Sequence, residues 1–207
     1  MKTQIFILIV VVSIVVGNVQ GLLIWDSGDH VFSEGTEDFI EMYNDATATI
    51  TGGEIWEFYM YDNTAAAFSG GRVIQILCHN NATVSIEEGF SSDLLKPFDS
   101  AIATIQGGEI NSISTWGSSI TTIYQASINF LDSEESSIVV MYVEDYNWDP
   151  TGGQWGDGLL TGSWLQNSQP FSIQVIDVTT INHINFIPEP TTLALLAFGG
   201  LFVSRIC

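Results

Sequence analysis

A glycine recurs at a nearly constant interval through the first half of the chain, and this period constrains the fold more than any other feature. The recurring residues are Gly35, Gly53, Gly71, Gly89 and Gly108, separated by 18, 18, 18 and 19 residues. Three of them end a Gly-Gly pair that is followed by a charged and then a β-branched residue. Self-similarity at a short fixed period is typical of repeat architectures, in which each repeat packs on its neighbours.

Apolar residues occupy fixed places within this period. Counting from each glycine as position zero, the inward candidates fall at positions five, seven, thirteen and fifteen. Position five holds Ile40, Phe58, Ile76, Leu94 and Ile113; position seven holds Met42, Met60, Cys78, Lys96 and Thr115; position thirteen holds Ala48, Ala66, Val84, Ala103 and Thr121; position fifteen holds Ile50, Phe68, Ile86, Ile105 and Ile123. This alignment requires one inserted residue, placed near Pro97, and a weaker sixth copy starts at Ala126. Inward positions two apart predict two short strands in each repeat, since strand side chains alternate between faces.

Turn residues separate the two predicted strands at one place in every repeat. They are the pairs Asn44-Asp45, Asp62-Asn63, Asn80-Asn81, Asp99-Ser100 and Gly117-Ser118. Asn, Asp and Gly tolerate the left-handed backbone that a sharp corner requires. We therefore predict an all-β fold, a single-stranded, parallel β-helix-like β-solenoid with coils of about 18 residues over 22–143. A β-sandwich is the alternative, but it does not explain a constant register.

Beyond residue 143 the repeat fails. Residues 144–158 are rich in turn formers and acids, and they predict a loop. Strands are predicted between Leu159 and Val178, so residues 144–186 form a capping β region that covers the exposed end of a solenoid. Residues 22–33 are expected to cap the other end.

The N-terminus has the organisation of a secretory signal. Lys2 precedes the apolar run Ile5–Val16, and small residues follow up to Gly21. This run of 12 residues, apolar except for Ser13, falls short of the roughly 20 that span a membrane. Residues 1–21 are therefore predicted to be a signal peptide, which implies export.

The C-terminus, residues 187–207, carries a second short motif. Pro188, Glu189 and Pro190 precede Thr191, and an apolar stretch that predicts a short helix then leads to Arg205. This segment resembles the PEP-CTERM sorting signal of bacterial envelope proteins, which is also described as the ice-binding protein C-terminal domain. Where that signal usually ends in several arginines, this chain has one. The resemblance implies an exosortase as partner, transient membrane anchoring by the hydrophobic helix, and a final place at the cell surface or outside the cell.

The charge of the chain excludes several partners. It contains 24 acidic and 4 basic residues, for a formal net charge of −20, and Arg72 and Lys96 are the only cations between 22 and 188. DNA and RNA need a positive surface, so no nucleic acid is expected.

The sequence has neither a Gly-x-Ser-x-Gly nor a His-Glu-x-x-His motif, each of which is typical of a hydrolase. We expect a structural or adhesive protein without a cofactor. The alternative is a small carbohydrate-active enzyme, a lyase or hydrolase on a β-helix.

Three surface patterns are candidate binding sites. Position eight carries an aromatic column of Tyr43, Tyr61, His79, Phe98 and Trp116, on which the sugar rings of an extracellular polysaccharide could stack. The other interpretation is that these rings stack on one another. Asp145, Asn147 and Asp149 have the spacing of oxygen ligands for a weak Ca²⁺ site. A plain turn is the favoured interpretation, because Pro150 stands where a calcium loop has Gly.

Hydroxyl residues form the third pattern, at Thr47-Ala48-Thr49, Thr83-Val84-Ser85 and Thr121-Thr122. A regular threonine array is the basis of a flat ice-binding face, and ice binding is thus a remote alternative function. Alanines 65–67 interrupt the array. Cys78 shares its column with Met42 and Met60, which predicts a buried thiol.

Overall fold

The structure is a computed structural model that describes residues 21–154 and 156–188. These residues form fifteen strands, which are linked in one continuous sheet, and one short 3₁₀ turn, Thr180–His183. The strands in chain order are β1 Leu22–Trp25, β2 Asp29–Phe32, β3 Thr36–Met42, β4 Thr47–Met60, β5 Ala65–Cys78, β6 Thr83–Ile86, β7 Phe90–Pro97, β8 Ile102–Ile105, β9 Glu109–Thr115, β10 Ile120–Ile123, β11 Ser127–Ser133, β12 Ile138–Asp149, β13 Leu159–Trp164, β14 Pro170–Val175 and β15 Ile184–Ile187.

The sheet wraps around the core and forms two faces, each built from parallel strands of successive coils. This arrangement confirms the predicted β-solenoid. The front sheet consists of β1, β3, the second halves of β4 and β5, and then β7, β9, β11 and β14. The back sheet consists of β2, the first halves of β4 and β5, and then β6, β8, β10, the first part of β12, and β15. Each coil supplies one strand to each sheet, so equivalent residues of successive coils lie about 4.8 Å apart.

The register of the parallel pairs has the predicted period. Ala65 pairs with Thr83 and Ile102 pairs with Ile120, in each case exactly one repeat further along the chain. The one extra residue lies elsewhere than predicted. Phe68 still pairs one repeat ahead with Ile86, whereas Gly71 pairs with Phe90 instead of Gly89, so the insertion falls between Ile86 and Phe90.

The displaced insertion corrects three assignments in one coil. Phe90, instead of Gly89, occupies the first position of the coil. Leu95 and Pro97 are buried at positions five and seven, while Leu94 and Lys96 are only partly buried. Gly89 misled the alignment because it follows Gly71 at the regular interval and also adopts a positive φ of 86°.

The core is apolar over most of the rod and becomes polar toward its C-terminal end. Position fifteen is fully or almost fully buried in every coil from Ile50 to Met141. Position seven changes from Met42, Met60 and Cys78 to Thr115 and Ser133, all with 0% exposure. The Thr115 and Ser133 hydroxyls lie 2.9 Å apart, so hydrogen bonds replace apolar packing there.

The predicted turns are present at each corner between front and back strands. Asn44, Asp62, Asn80 and Asp99 adopt φ between 55° and 59°, and Gly117 and Glu135 continue the series with φ of 71° and 60°. Side chains join successive turns: Asn44 Nδ2 donates to Asp26 Oδ1 at 2.6 Å, and Asn80 Nδ2 donates to Asp62 Oδ1 at 3.4 Å. The corners therefore form a hydrogen-bonded ladder along the rod.

The C-terminal region differs from the prediction in one respect. Residues 144–149 are not part of a loop, because β12 continues to Asp149 and forms an antiparallel hairpin with β13. Strands β14 and β15 then extend the front and back sheets by one strand each. The hairpin is thus inserted before a final coil.

The chain ends lie mostly outside the described residues. These undescribed parts include the predicted signal peptide up to residue 20, the hydrophobic C-terminal helix, and the sorting-motif residues Glu189, Pro190, Thr191 and Arg205. Within 21–154 and 156–188, no helix is long and apolar enough to cross a membrane.

Candidate functional surfaces

The aromatic column exists, and its rings stack on one another. Ring centroids are 5.0 Å apart for Tyr43 and Tyr61, 5.2 Å for Tyr61 and His79, and 4.7 Å for His79 and Phe98, with interplanar angles of 12° or less. Trp116, in the next coil, donates its Nε1–H to Ser114 Oγ at 2.9 Å. All five residues are partly buried.

Stacking within the column limits what a sugar could contact. A sugar ring packs on the face of an aromatic ring, and the neighbours in the column already cover both faces of Tyr61 and His79. At the edge of the column, the Tyr43 hydroxyl donates to Glu41 Oε2 at 2.7 Å, and this hydrogen bond raises the pKa of Tyr43 to about 12. The geometry thus favours a packing role for the column.

The proposed Ca²⁺ ligands lie along a strand instead of around a loop. Residues two apart on an extended strand are separated by about 6.6 Å, so three of them span about 13 Å and cannot surround one ion. Asp145 accepts a hydrogen bond from Ser163 Oγ. Asp149 accepts from both the backbone N–H and the hydroxyl of Thr151 at 3.0 Å, and these bonds lower its pKa. In the described part of the chain, no group of three or more His, Cys, Asp or Glu residues could hold a metal ion.

The outward surface of the back sheet carries no charged residue from β4 to β12. We call this surface the neutral face. Its residues, at positions twelve and fourteen of six coils, are Thr47, Thr49, Ala65, Ala67, Thr83, Ser85, Ile102, Thr104, Ile120, Thr122, Ile138 and Val140. Thr121, which the sequence placed in the hydroxyl array, points inward and is fully buried. Ile120 and Thr122 take the outward places in that coil.

The front sheet has the opposite character. Its strands carry Glu37, Asp38, Glu41, Glu54, Glu57, Arg72, Asp93, Lys96, Glu109 and Asp132. Arg72 bridges Glu54 and Asp93, with N–O distances of 2.9 Å to each, across three successive coils. The rod therefore has an acidic face and a neutral face, and the sequence did not predict this division.

A cleft of about 350 Å³ lies between the solenoid corner and the turn that joins β13 to β14. Its polar walls include Glu88, Gln125, Asn129, Asn167 and Gln169, and its apolar lining includes Trp164 and Phe171. Sequence reasoning missed this cleft because Gln125 and Asn167, which are hydrogen-bonded at 2.7 Å, are 42 residues apart and belong to different elements.

The walls of the cleft are held by a directional chain of hydrogen bonds. Gln125 Nε2 donates to Glu88 Oε1 at 3.1 Å, and Asn167 Nδ2 donates to Gln125 Oε1 at 2.7 Å. The backbone N–H of Gln169 donates to Asn167 Oδ1 at 3.0 Å. Each carboxamide uses one of its two N–H groups in this chain, so each has a second N–H that can donate.

Comparison of the chain with protein-family models, curated proteins and solved structures gave no significant match.

Proposed function

We propose that this chain is an exported structural or adhesive protein of the cell surface or extracellular matrix, and that its neutral face lies against an uncharged polysaccharide surface. The division between the two faces carries this proposal. Twelve outward positions without a charge contrast with the front sheet, whose strands carry ten charged residues.

The size of the neutral face supports a repetitive partner over a single protein. Six strands spaced about 4.8 Å apart and four residues long, at about 3.3 Å per residue, cover roughly 400 Å². Two such faces in contact would bury about 800 Å², below the 1,200–2,000 Å² of specific protein interfaces. A flat face of this size suits an extended surface on which many molecules adsorb side by side.

The lining of the cleft favours binding over catalysis there. Glycoside hydrolysis uses two carboxyl groups that flank the scissile bond. Among the residues that the structure describes, Glu88 is the one carboxylate that lines the cleft. A carbohydrate-active enzyme is therefore the weaker alternative.

Adsorption to insoluble polysaccharides tests the proposal. The full-length protein, collected from producing cells, is sedimented with microcrystalline cellulose, chitin or an insoluble β-1,3-glucan. The Thr83→Lys/Thr104→Lys variant places two cations on the neutral face, and Ser91→Lys/Ser112→Lys places the same two charges on the front sheet. We expect the first variant to lose adsorption and the second to retain it. Equal losses of adsorption in the two variants, or no adsorption of the wild type, would reject polysaccharide as the partner of the neutral face.

Ice is a second candidate partner, and one specific observation favours it. Position fourteen presents hydroxyls from Thr49, Ser85, Thr104 and Thr122 in a row along the neutral face, with Ala67 inside the row. Thermal hysteresis of the same proteins tests this candidate. Hysteresis that disappears in Thr83→Lys/Thr104→Lys and persists in the front-sheet variant would support ice over polysaccharide.

Sorting by an exosortase is the part of the proposal that rests on the C-terminal resemblance. It predicts that Glu189→Ala/Pro190→Ala retains the chain in the membrane fraction, while the wild type is released with a lower mass. The measurement is mass spectrometry of both fractions. Identical masses for the two proteins would reject sorting through this motif.

A further inference from the structure

The cleft beside Gln125 has the chemistry of a sugar site. Sugar hydroxyls both donate and accept hydrogen bonds, and carboxamides offer both functions on one side chain. Gln125 and Asn167 are joined by a hydrogen bond of 2.7 Å, and each keeps a second N–H that can donate to a ligand. A volume of about 350 Å³ lies within the range of about 300–1,000 Å³ found for small-molecule sites.

Two nearly buried aromatic residues in the lining support the polar walls of the cleft. Trp164 and Phe171 lie 4.5 Å apart between ring centroids, and they are 2% and 8% exposed. The Trp164 indole N–H is bonded to the carbonyl of Ala126 at 3.1 Å, which fixes the ring against the solenoid corner. Because both rings are nearly buried, they fix the shape of the cleft and leave its polar side chains to contact a ligand.

The charge around the cleft selects for a neutral ligand. Within 21–154 and 156–188, its lining contains Glu88 and no Lys or Arg. An acidic sugar would meet this carboxylate and the field of a chain with a net charge of −20. A neutral sugar avoids that repulsion, and Glu88 can accept hydrogen bonds from its hydroxyls.

We propose that this cleft binds a short segment of a neutral polysaccharide, with Gln125, Asn167 and Glu88 as its hydrogen-bonding residues. The proposal rests on the proposed function, because it names a second contact to the same class of partner. The neutral face would adsorb the protein to a polysaccharide surface, and the cleft would hold one chain of it.

Calorimetric titration with soluble oligosaccharides tests the cleft. The probes are the neutral hexasaccharides of cellulose, chitin, β-1,3-glucan and xylan, with hexagalacturonate as the acidic comparison. Full-length protein should bind at least one neutral probe and should not bind hexagalacturonate. Gln125→Ala/Asn167→Ala should lower the affinity about tenfold or more, since two hydrogen-bonding side chains are lost.

Two further variants separate binding from folding. Ser127→Trp fills the cleft from the edge of β11 without removing any residue of the hydrogen-bond chain, and it should also abolish binding. Gln166→Ala, an exposed change in the same turn as Asn167 and outside the cleft lining, should bind like the wild type. Equal thermal midpoints identify variants that fold.

Two results would overturn the proposal. One is the absence of binding to any neutral hexasaccharide, and the other is unchanged affinity in Ser127→Trp. These outcomes are independent of adsorption through the neutral face. Thr83→Lys/Thr104→Lys should still bind the soluble probe, and cleft variants should still sediment with an insoluble polysaccharide if the neutral face alone is sufficient.

Discussion

The backbone N–H of Asn80 donates a hydrogen bond to Asp99 Oδ2 at 3.0 Å, one coil further along the rod. Asn44 makes the same bond to Asp62 Oδ2 at 3.1 Å. Together with the amide bonds to Asp26 and Asp62, these contacts make a ladder in which Asp and Asn alternate. Successive turns are about 4.8 Å apart, so the amides keep the carboxylates about two coils apart.

The alternation predicts that Asn80→Asp destabilises the protein. Asp62, residue 80 and Asp99 would then place three carboxylates on consecutive coils. Like charges about 5 Å apart at the surface cost about 1 kcal/mol each, and salt screens them. We expect urea unfolding to show a loss of about 1–2 kcal/mol at low salt that shrinks in about 0.5 M NaCl.

Asn80→Gly is the matched control for charge. Glycine keeps the left-handed backbone of Asn80, with φ of 59°, but it removes the amide. Its effect should be small and independent of salt. A salt-independent loss in Asn80→Asp would show that geometry, and not charge, determines the alternation.

The period of the sequence was sufficient to predict the fold, since a constant spacing fixes the register of parallel strands. The details that it missed have local causes. Gly89 follows Gly71 at the regular 18-residue interval, so the sequence predicted that a coil begins there. This placed Leu94, instead of Leu95, at the buried position five. The alternation of Asp145, Asn147 and Asp149 fits both a ligand loop and an extended strand, and pairing with β13 decides for the strand. The neutral face and the cleft arise only when distant segments are brought together.

Thr121 predicts a stabilising substitution. Its hydroxyl is fully buried without a hydrogen-bond partner in the described part of the chain. Its neighbours in the adjacent coils are Ala103 and Val139, both buried and apolar. Thr121→Val removes the unsatisfied hydroxyl at almost constant shape, so the free energy of unfolding should rise by about 1 kcal/mol.

Thr115→Val is the comparison for a satisfied hydroxyl. Thr115 Oγ1 lies 2.9 Å from Ser133 Oγ and 3.1 Å from Ser137 Oγ. Removal of this hydroxyl leaves the buried hydroxyls of Ser133 and Ser137 without one partner. The free energy of unfolding should therefore fall by about 1–3 kcal/mol. If urea unfolding gave both variants the same sign, the interpretation of Thr121 would be wrong.

Cys78 predicts an alkaline loss of stability. Complete burial raises the pKa of its thiol from 9.0 to about 12. Between about pH 9 and 12 the folded thiol keeps its proton while the unfolded one loses it, so stability falls as pH rises. Hydrogen bonds to Glu57 and Glu41 raise the pKa of Tyr59 and Tyr43 to about 12 as well, and these shifts act in the same direction.

Urea unfolding at a series of pH values from 7 to 11 measures the alkaline loss, and Cys78→Ala should show a shallower decline than the wild type. A thiol reagent should react with the native wild type only at the rate of unfolding. Fast reaction of the native protein would contradict the burial.

The aromatic column predicts unequal effects at two tyrosines. Tyr61 stacks on Tyr43 and His79, whereas Tyr43 stacks on Tyr61 in the described structure. Each stack contributes about 0.5–1.5 kcal/mol beyond burial. Tyr61→Ala should therefore lower stability more than Tyr43→Ala, without changing adsorption to polysaccharide. If folded Tyr61→Ala lost adsorption, the result would instead support the hypothesis that the aromatic column binds a glycan.

Gly71 predicts how closely the coils approach at the Gly-Gly corner, and Gly28, in the turn between β1 and β2, is the comparison for backbone strain alone. Both have a positive φ, 80° and 83°, so alanine is strained by about 1 kcal/mol at either site. A Cβ on Gly71 would also lie 2.7 Å from the carbonyl carbon of Gly52, whereas a Cβ on Gly28 meets nothing within 4 Å. Gly71→Ala should cost about 3 kcal/mol or more in urea unfolding, and Gly28→Ala about 1 kcal/mol. Equal costs would mean that the coils separate at this corner without penalty, and that the Gly-Gly repeat serves the backbone dihedral alone.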